Sequence, residues 1–222
     1  MTQASDLAFY TANTPNGQKV SIFLKEARLA YEQFDLDLDK GEQHQPDFLK
    51  INPNGKIPAI IDRQAGLAVF ESGAILSYLS SKTGCLLPAT EAENVAVQQW
   101  LHFQIGGIGP MLGQLWWFLH ASKMGNTEAI QRYQKQSLRL YQVVDARLSE
   151  STFIASENYS IADIAAFTWL RTWGELNLDI TPYSHVQGWL EVIAARPAVQ
   201  AGLLASEPGS RNTAERLTSV EG

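Results

Sequence analysis

In the first 84 residues, apolar side chains recur at strand spacing in some segments and at helical spacing in others. Residues 7–11 (LAFYT) form a short apolar run and residues 34–38 (FDLDL) alternate, which is typical of strands, whereas apolar positions between 17 and 30 recur at helical spacing. This order predicts a β-α-β unit. A short helix over 46–51, strands over 59–62 and 67–70, and a helix that ends at Gly84 are predicted to follow.

Helical spacing dominates the chain beyond residue 92. Residues 93–121 are rich in apolar and aromatic side chains, and a glycine-rich segment with Pro110 interrupts them. A bend is predicted there, because proline removes a helix hydrogen bond. Ser160 and Asp163 have the spacing of a capping box, which assigns Asp163 to folding rather than to acid catalysis. Further helices are predicted over 127–150, 182–195 and 198–205.

These patterns predict an α/β domain over 1–84, a linker over 85–92 and an all-helical domain over 93–206. Residues 207–222 have the Ser, Glu, Gly and Pro content of a mobile tail. With 222 residues, of which 45% are hydrophobic and 18% charged, the chain can bury a sizeable core. Neither a signal peptide nor an apolar run of ~18 residues is visible, so we expect a cytoplasmic protein that does not bind membranes.

Charge and cysteine content exclude several functions. A net charge of -6 without clustered Lys and Arg argues against nucleic-acid binding. The single cysteine, Cys85, excludes an internal disulfide and a Cys-based metal cluster. The four histidines lack metal-ligand spacing, so no metal site is predicted.

Two segments predict a site that binds a small peptide through backbone groups. In residues 52–60 (NPNGKIPAI), a cis bond before Pro58 would turn the Ile57 amide and carbonyl outward, where an extended ligand would pair with them as an added strand. In residues 70–76 (FESGAIL), Glu71 and Ser72 open a helix whose N-terminal amides attract a carboxylate, while Glu71 can hold an ammonium group. The zwitterionic end of an amino acid fits both requirements.

The segment 55–58 (GKIP) together with Glu71 and Ser72 resembles the glutathione-binding half of the glutathione transferase superfamily, and the resemblance extends over about residues 7–205. It implies a thioredoxin-like N-terminal domain, an all-helical C-terminal domain and a homodimer. Residues 14–19, 70–76 and 106–114 resemble the bacterial Nu class, which also occurs in fungi. That class is known for glutathione-dependent disulfide-bond oxidoreductase activity and poor conventional transferase activity.

The turn after the first strand reads TANTPNG and contains no cysteine. Thioredoxins and glutaredoxins place a reactive cysteine at such a helix N-terminus, where the helix dipole stabilises the thiolate. Any thiol chemistry here therefore uses the sulfur of a ligand. The Nu-class resemblance implies that Thr14 and Asn16 lie at the glutathione sulfur and are the catalytic residues.

The resemblance also implies the other contacts of bound glutathione, present as one or two molecules or in oxidised form. Gln43 matches the position that meets the glycine end, and Arg132 matches an arginine that reaches a carboxylate. The remaining predicted contacts are Lys56, Ile57, Pro58, Glu71 and Ser72. Residues 115–120 (LWWFLH) depart from the more polar pattern of the class, and such a wall would suit hydrophobic disulfides or electrophiles.

Several residues keep two interpretations at this point. Tyr10 is either a core residue or a donor to a thiolate, and Cys85 is either a half-buried side chain or a nucleophile. The aromatic residues of the first long helical stretch either fill the core or border a substrate cleft: Trp100, Phe103, Trp116, Trp117 and Phe118.

The leading functional interpretation is a glutathione-dependent thiol-disulfide oxidoreductase that uses the thiolate of bound glutathione and a small disulfide. One alternative is conjugation of glutathione to small electrophiles. Another is a non-catalytic glutathione-binding or regulatory module, because a fold alone does not assign chemistry.

Overall fold

The computed structural model describes residues 5–206, which form two compact units. Within the described residues, the first unit contains residues 5–85 and 197–206, and the second comprises Leu86–Arg196. The predicted tail over 207–222 lies outside the described residues. The sequence placed residues 197–206 in the helical domain, whereas in the structure this segment belongs to the first unit.

A four-stranded sheet with strand order β2-β1-β3-β4 forms the centre of the first unit. The parallel pair consists of β1 and β2, while β3 pairs antiparallel with both β1 and β4. This arrangement is the thioredoxin-like fold that the resemblance implied. The elements are β1 Leu7–Thr11, α1 Pro15–Glu26, β2 Glu32–Asp35, α2 Pro46–Ile51, β3 Ala59–Asp62, β4 Leu67–Phe70 and α3 Ser72–Thr83.

The first helix and the second strand end earlier than their patterns predicted. Helix α1 ends at Glu26 rather than near residue 30, because Arg28 adopts a left-handed conformation with φ 51°. The Leu29 amide then donates to the Leu24 carbonyl at 3.0 Å and closes the helix end. Strand β2 ends at Asp35, and Asp37 accepts hydrogen bonds in a turn that follows.

The last helix, α9 (Pro197–Ala205), packs directly on α1. A Cβ atom on Gly202 would lie 2.6 Å from the Ile22 Cα, so the two helix backbones approach closely at this point. The hydroxyl groups of Ser206 and Ser21 are 3.0 Å apart beside it. This close packing explains why α9 belongs to the first unit.

We expect Gly202→Ala to lower the free energy of unfolding by about 2 kcal/mol, because the added methyl group meets helix backbone that cannot rotate away. Gly188→Ala is the matched control, since Gly188 lies inside a helix with nothing within 4 Å of its Cβ position. That variant should gain up to ~1 kcal/mol from helix propensity. Urea denaturation measures both, and equal effects of the two substitutions would contradict the prediction.

The second unit is helical throughout its regular structure. No described helix combines the length and the hydrophobicity needed to cross a membrane. Its helices are α4 Glu91–Phe103, α5 Gly109–Trp116, α6 Thr127–Leu148, α7 Ile161–Leu170 and α8 Ser184–Ala194.

The glycine-rich segment continues the first helical stretch through a wide π-type turn. This turn spans Gln104–Ile108 and passes directly into α5, and a second one follows at Trp117–Ala121. A Cβ atom on Gly113 would lie 3.2 Å from the Trp169 ring. At this position the glycine serves close helix packing.

The predicted capping box at the start of α7 is confirmed. Ser160 caps the helix, and the fully buried Asp163 carboxylate accepts hydrogen bonds from the Ser160 amide and hydroxyl, both at 3.0 Å. The other carboxylate oxygen accepts from the Ile154 amide at 2.9 Å and from the Trp189 indole at 3.0 Å. Asp163 therefore joins three segments of the helical unit, as a structural residue.

Candidate functional site

The predicted binding segments meet at one edge of the sheet. Tyr10 on β1 pairs with Ala59 on β3, and Ala59 pairs with Phe70 on β4, so the end of β1, the start of β3 and the end of β4 lie side by side. Three adjacent strands cover about 10 Å, which is roughly the length of an extended tripeptide. The edge therefore matches a tripeptide in size.

Thr14 is held at the N-terminus of α1. Its hydroxyl oxygen accepts a hydrogen bond from the Gly17 amide at 3.2 Å, and Pro15 occupies the first turn. A Cβ atom on Gly17 would lie 2.4 Å from the Ala12 carbonyl oxygen, so the helix start presses against the end of β1. Because the cap uses Thr14 as an acceptor, its O–H remains a donor for a ligand.

Asn16 lies in the first turn of the same helix and is half-buried. The structure thus brings Asn16 and Thr14 together at one helix N-terminus. The amides of that turn and the helix dipole favour a negative charge such as a thiolate.

The Ile57–Pro58 peptide bond is cis, as predicted. The preceding loop is fixed by Asn52, whose side chain donates to the Lys56 carbonyl at 2.6 Å and accepts from the Asn54 amide at 3.0 Å. Pro58 is buried, Ile57 is half-buried and Lys56 is exposed.

Gln43 lies in a 3-10 turn, Glu42–His44, that packs against the same loop. Gly55 has φ 63°, and a Cβ atom there would lie 3.2 Å from the Gln43 carbonyl oxygen. The Gln43 side chain donates to the Leu38 carbonyl at 3.3 Å. Gln43 therefore borders the segment that leads to Ile57.

Glu71 and Ser72 lie where β4 passes into α3. Glu71 has φ 69° and ψ 119°, an uncommon conformation for a residue with a side chain, and this kind of strain concentrates at ligand sites. Its side chain is exposed, whereas Ser72 is buried at the first position of the helix. A carboxylate and a helix N-terminus thus lie next to each other, as predicted.

Lys19 lies beside the candidate site, and the sequence analysis did not single it out. It lies on α1, its side chain is only 1% exposed, and its ammonium group donates to the Ser72 hydroxyl oxygen at 3.1 Å. Burial lowers its pKa to about 7, while the charge of Glu71 acts in the opposite direction. Its burial could have been predicted from the helical spacing. Lys19 precedes Ile22 by three positions and Phe23 by four, so it lies on the apolar face of the helix.

We expect the wild-type free energy of unfolding to rise relative to that of Lys19→Met above about pH 7. The unfolded chain keeps the ordinary high pKa of lysine and binds an extra proton in this range, so stability rises with pH by at most ~1.4 kcal/mol per unit. Denaturation of both proteins at about pH 7.5 and about pH 8.5 measures this change. A difference between the two proteins that stays constant with pH would contradict it.

Three other residues that the sequence analysis considered have the following surroundings. Tyr10 stacks on Phe34 with ring centroids 4.7 Å apart and contacts Phe48, which is the core alternative. Cys85 follows α3 at the end opposite to Ser72, roughly 18 Å along the helix, and is half-buried. Arg132 is exposed on α6, within the helical unit.

The aromatic residues of the first helical stretch do not form a buried cluster. Trp116 and Trp117 are 41% and 46% exposed, and the Trp116 indole donates to the Glu175 carboxylate at 2.6 Å. Phe118 stacks on Tyr133 at 5.6 Å. Among the described residues, no group of three or more His, Cys, Asp or Glu side chains is arranged to hold a metal ion.

Comparison with known proteins gives two family matches. The model of the glutathione S-transferase N-terminal domain matches residues 5–81, and that of the C-terminal domain matches residues 110–197. The chain is 46% identical over 209 residues to the disulfide-bond oxidoreductase YfcG of Escherichia coli (strain K12), covering 92% of this chain and 97% of the relative. It is 36% identical to the disulfide-bond oxidoreductase YghU of the same organism, covering 88% and 73%.

Solved structures agree with these matches. A glutathione transferase from Burkholderia graminis, crystallised with two glutathione molecules per subunit, has TM-score 0.88 and 43% identity, covering 92% of this chain and 90% of that one. A glutathione transferase from Pseudomonas putida with one glutathione disulfide per subunit has TM-score 0.86 and 41% identity, covering 91% and 93%. The chain therefore belongs to the glutathione transferase superfamily.

Proposed function

We propose that this protein is a glutathione-dependent thiol-disulfide oxidoreductase that uses the thiolate of bound glutathione in place of a protein cysteine. The observation that carries the proposal is the held hydroxyl of Thr14, whose oxygen caps α1 while its proton remains available at the helix N-terminus. The single cysteine of the chain lies at the far end of α3. The relatives YfcG and YghU, both disulfide-bond oxidoreductases, support the same reaction.

In the proposed complex, glutathione lies across the sheet edge. The amide and carbonyl of Ile57 pair with the central cysteine residue, and Lys56 and Pro58 flank that contact. The ammonium and carboxylate of the γ-glutamyl end meet Glu71 and the N-terminus of α3. At the opposite end, Gln43 contacts the glycine residue, and Arg132 reaches a glutathione carboxylate.

Thr14 and Asn16 then stabilise the thiolate. A free thiol has a pKa near ~8.5, and lowering it by about two units requires about 2.7 kcal/mol of preference for the thiolate. One hydroxyl donor and the helix N-terminus supply energies of this size.

The reaction proceeds by two thiol-disulfide exchanges. The thiolate of bound glutathione attacks one sulfur of the substrate disulfide, forming a mixed disulfide and releasing the other sulfur as a thiolate. A second glutathione thiolate attacks the glutathione sulfur of the mixed disulfide, which releases oxidised glutathione and the second substrate thiolate. Two glutathione molecules thus supply both electrons, and the two substrate thiolates take up the protons that the glutathione thiols lost.

The proposal includes the Nu class, a cytoplasmic location and a homodimer. The glutathione pool of the cytoplasm is reducing and so supplies the electron donor. Leu67 and Phe70 on the edge strand β4 are 47% and 38% exposed, which suits contact with a second copy. Light scattering of the purified protein tests this part, since the mass of a single chain would contradict it.

The first experiment couples reduction of 2-hydroxyethyl disulfide by glutathione to NADPH oxidation through glutathione reductase, beside a chlorodinitrobenzene conjugation assay. Fast disulfide reduction with weak conjugation supports the proposal. Dominant conjugation would instead favour a transferase that acts on small electrophiles. Tight glutathione binding without activity in either assay would favour a binding module.

A further inference from the structure

Lys19 occupies a position that packing alone does not explain. A buried lysine costs folding free energy, because its charge leaves water. Its side chain is 1% exposed, and the ammonium group lies 3.1 Å from the Ser72 hydroxyl, directly behind the N-terminus of α3. The buried lysine is thus connected to the proposed ligand site through Ser72.

The hydrogen bond between Lys19 and Ser72 has a direction that matters for a ligand. An ammonium group only donates, so the Ser72 oxygen is the acceptor and the single hydroxyl proton of Ser72 must point elsewhere. That proton is then available to an acceptor outside the protein core. The positive charge of Lys19 adds to that of the helix N-terminus, and both favour an anion at this point.

We propose that Lys19 is a positioning residue for the carboxylate at the γ-glutamyl end of glutathione, and that it acts by orienting the Ser72 hydroxyl as a donor. This inference rests on the proposed function, since it concerns the same ligand. In this arrangement Ser72 contacts the carboxylate, and the buried ammonium group of Lys19 holds Ser72 in the orientation that the contact needs.

Protonation of Lys19 is coupled to binding in this arrangement. A neutral amine has a lone pair that can accept the Ser72 proton, so loss of the charge allows the hydroxyl to turn away from the ligand. Glu71 is the charged neighbour that acts on Lys19. The elements packed on α1 add little: α9 has no titratable side chain, and on α3 both Tyr78 and Lys82 bond to Asp62. Glutathione binding therefore takes up a proton near neutral pH.

Calorimetry with S-methylglutathione, which has no titrating thiol, tests the inference. Lys19→Met should bind about tenfold more weakly than wild type, because a hydrogen bond oriented toward a charged group is lost. Lys25→Met is the matched control on the same helix, since Lys25 lies over the Tyr31 ring, and it should bind like wild type. Equal affinity of Lys19→Met and wild type would overturn the role of Lys19 and leave the proposed function unaffected.

A ligand analogue separates positioning from structural damage. In the S-methyl tripeptide with 4-aminobutanoate in place of γ-glutamate, the carboxylate is absent and the ammonium group remains. Lys19→Met and wild type should bind this analogue equally. A tenfold loss with both ligands would assign the effect to a distorted site and overturn the inference.

The wild-type protein supplies a second readout that needs no folded variant. Its affinity for S-methylglutathione should fall by up to about tenfold between about pH 6 and about pH 8, with proton uptake visible in buffers of different ionisation enthalpy. A flat profile without proton uptake would overturn the inference. Failure of the wild-type protein to bind glutathione at all would overturn the proposed function as well.

Discussion

Thr14→Val is expected to lower kcat/KM for glutathione-dependent disulfide reduction by about 100-fold, whereas Thr14→Ser should keep most of the activity. Valine has the shape of threonine but lacks the O–H that the structure leaves available above the α1 cap. Without that donor, the pKa of the bound glutathione thiol should return toward the value of the free thiol. The thiolate absorbance of the bound glutathione, followed against pH, measures this pKa directly.

Stability needs its own control, because the same substitution removes a helix cap worth ~1 kcal/mol. Thr90 provides it: its hydroxyl accepts from the Glu93 amide at 3.2 Å and caps α4 in the helical unit. Thr90→Val should lose similar stability and retain activity. If both valine variants lost activity alike, or if Thr14→Val kept a low thiol pKa, Thr14 would not be a catalytic residue.

The largest stability change is expected at Asp163. Asp163→Asn should lower the free energy of unfolding by about 3 kcal/mol, because each carboxylate oxygen accepts two hydrogen bonds in a fully buried position. Whichever way the new amide points, its NH2 group faces at least one N–H donor that loses its acceptor. Urea denaturation followed by tryptophan fluorescence measures the loss.

Ser160→Ala separates the carboxylate from the helix cap. This variant removes one donor to Asp163 and one cap while the other three donors keep their acceptor, so about 1 kcal/mol should be lost. If Asp163→Asn lowered the free energy of unfolding no more than Ser160→Ala does, the contribution of this region to stability would come from the helix cap alone.

Local sequence signals predicted those features whose causes are local. Strands β1, β3 and β4 have the predicted bounds, because short apolar runs end at turn residues. The capping box at Ser160 follows from a spacing of three residues. The helix start at Ser72 and the cis bond before Pro58 were predicted in the same way, because each depends on a few neighbouring residues.

Features without a local sequence signal were missed. The left-handed conformation of Arg28 ends α1 although no glycine marks the position. The docking of α9 depends on Gly202 meeting Ile22, which lies far earlier in the chain and is invisible to a local pattern. The contact of Lys19 with Ser72 is equally invisible to a local pattern, because the two residues are 53 positions apart.

The packing of α9 on α1 has a consequence for the order in which the protein is made. The helix that completes the first unit is translated only after Leu86–Arg196, so α1 lacks one of its neighbours while the whole helical unit leaves the ribosome. Until then Ile22 remains without the backbone that covers it. The first unit therefore completes its packing only after the second unit, which precedes α9 in the chain, has been translated.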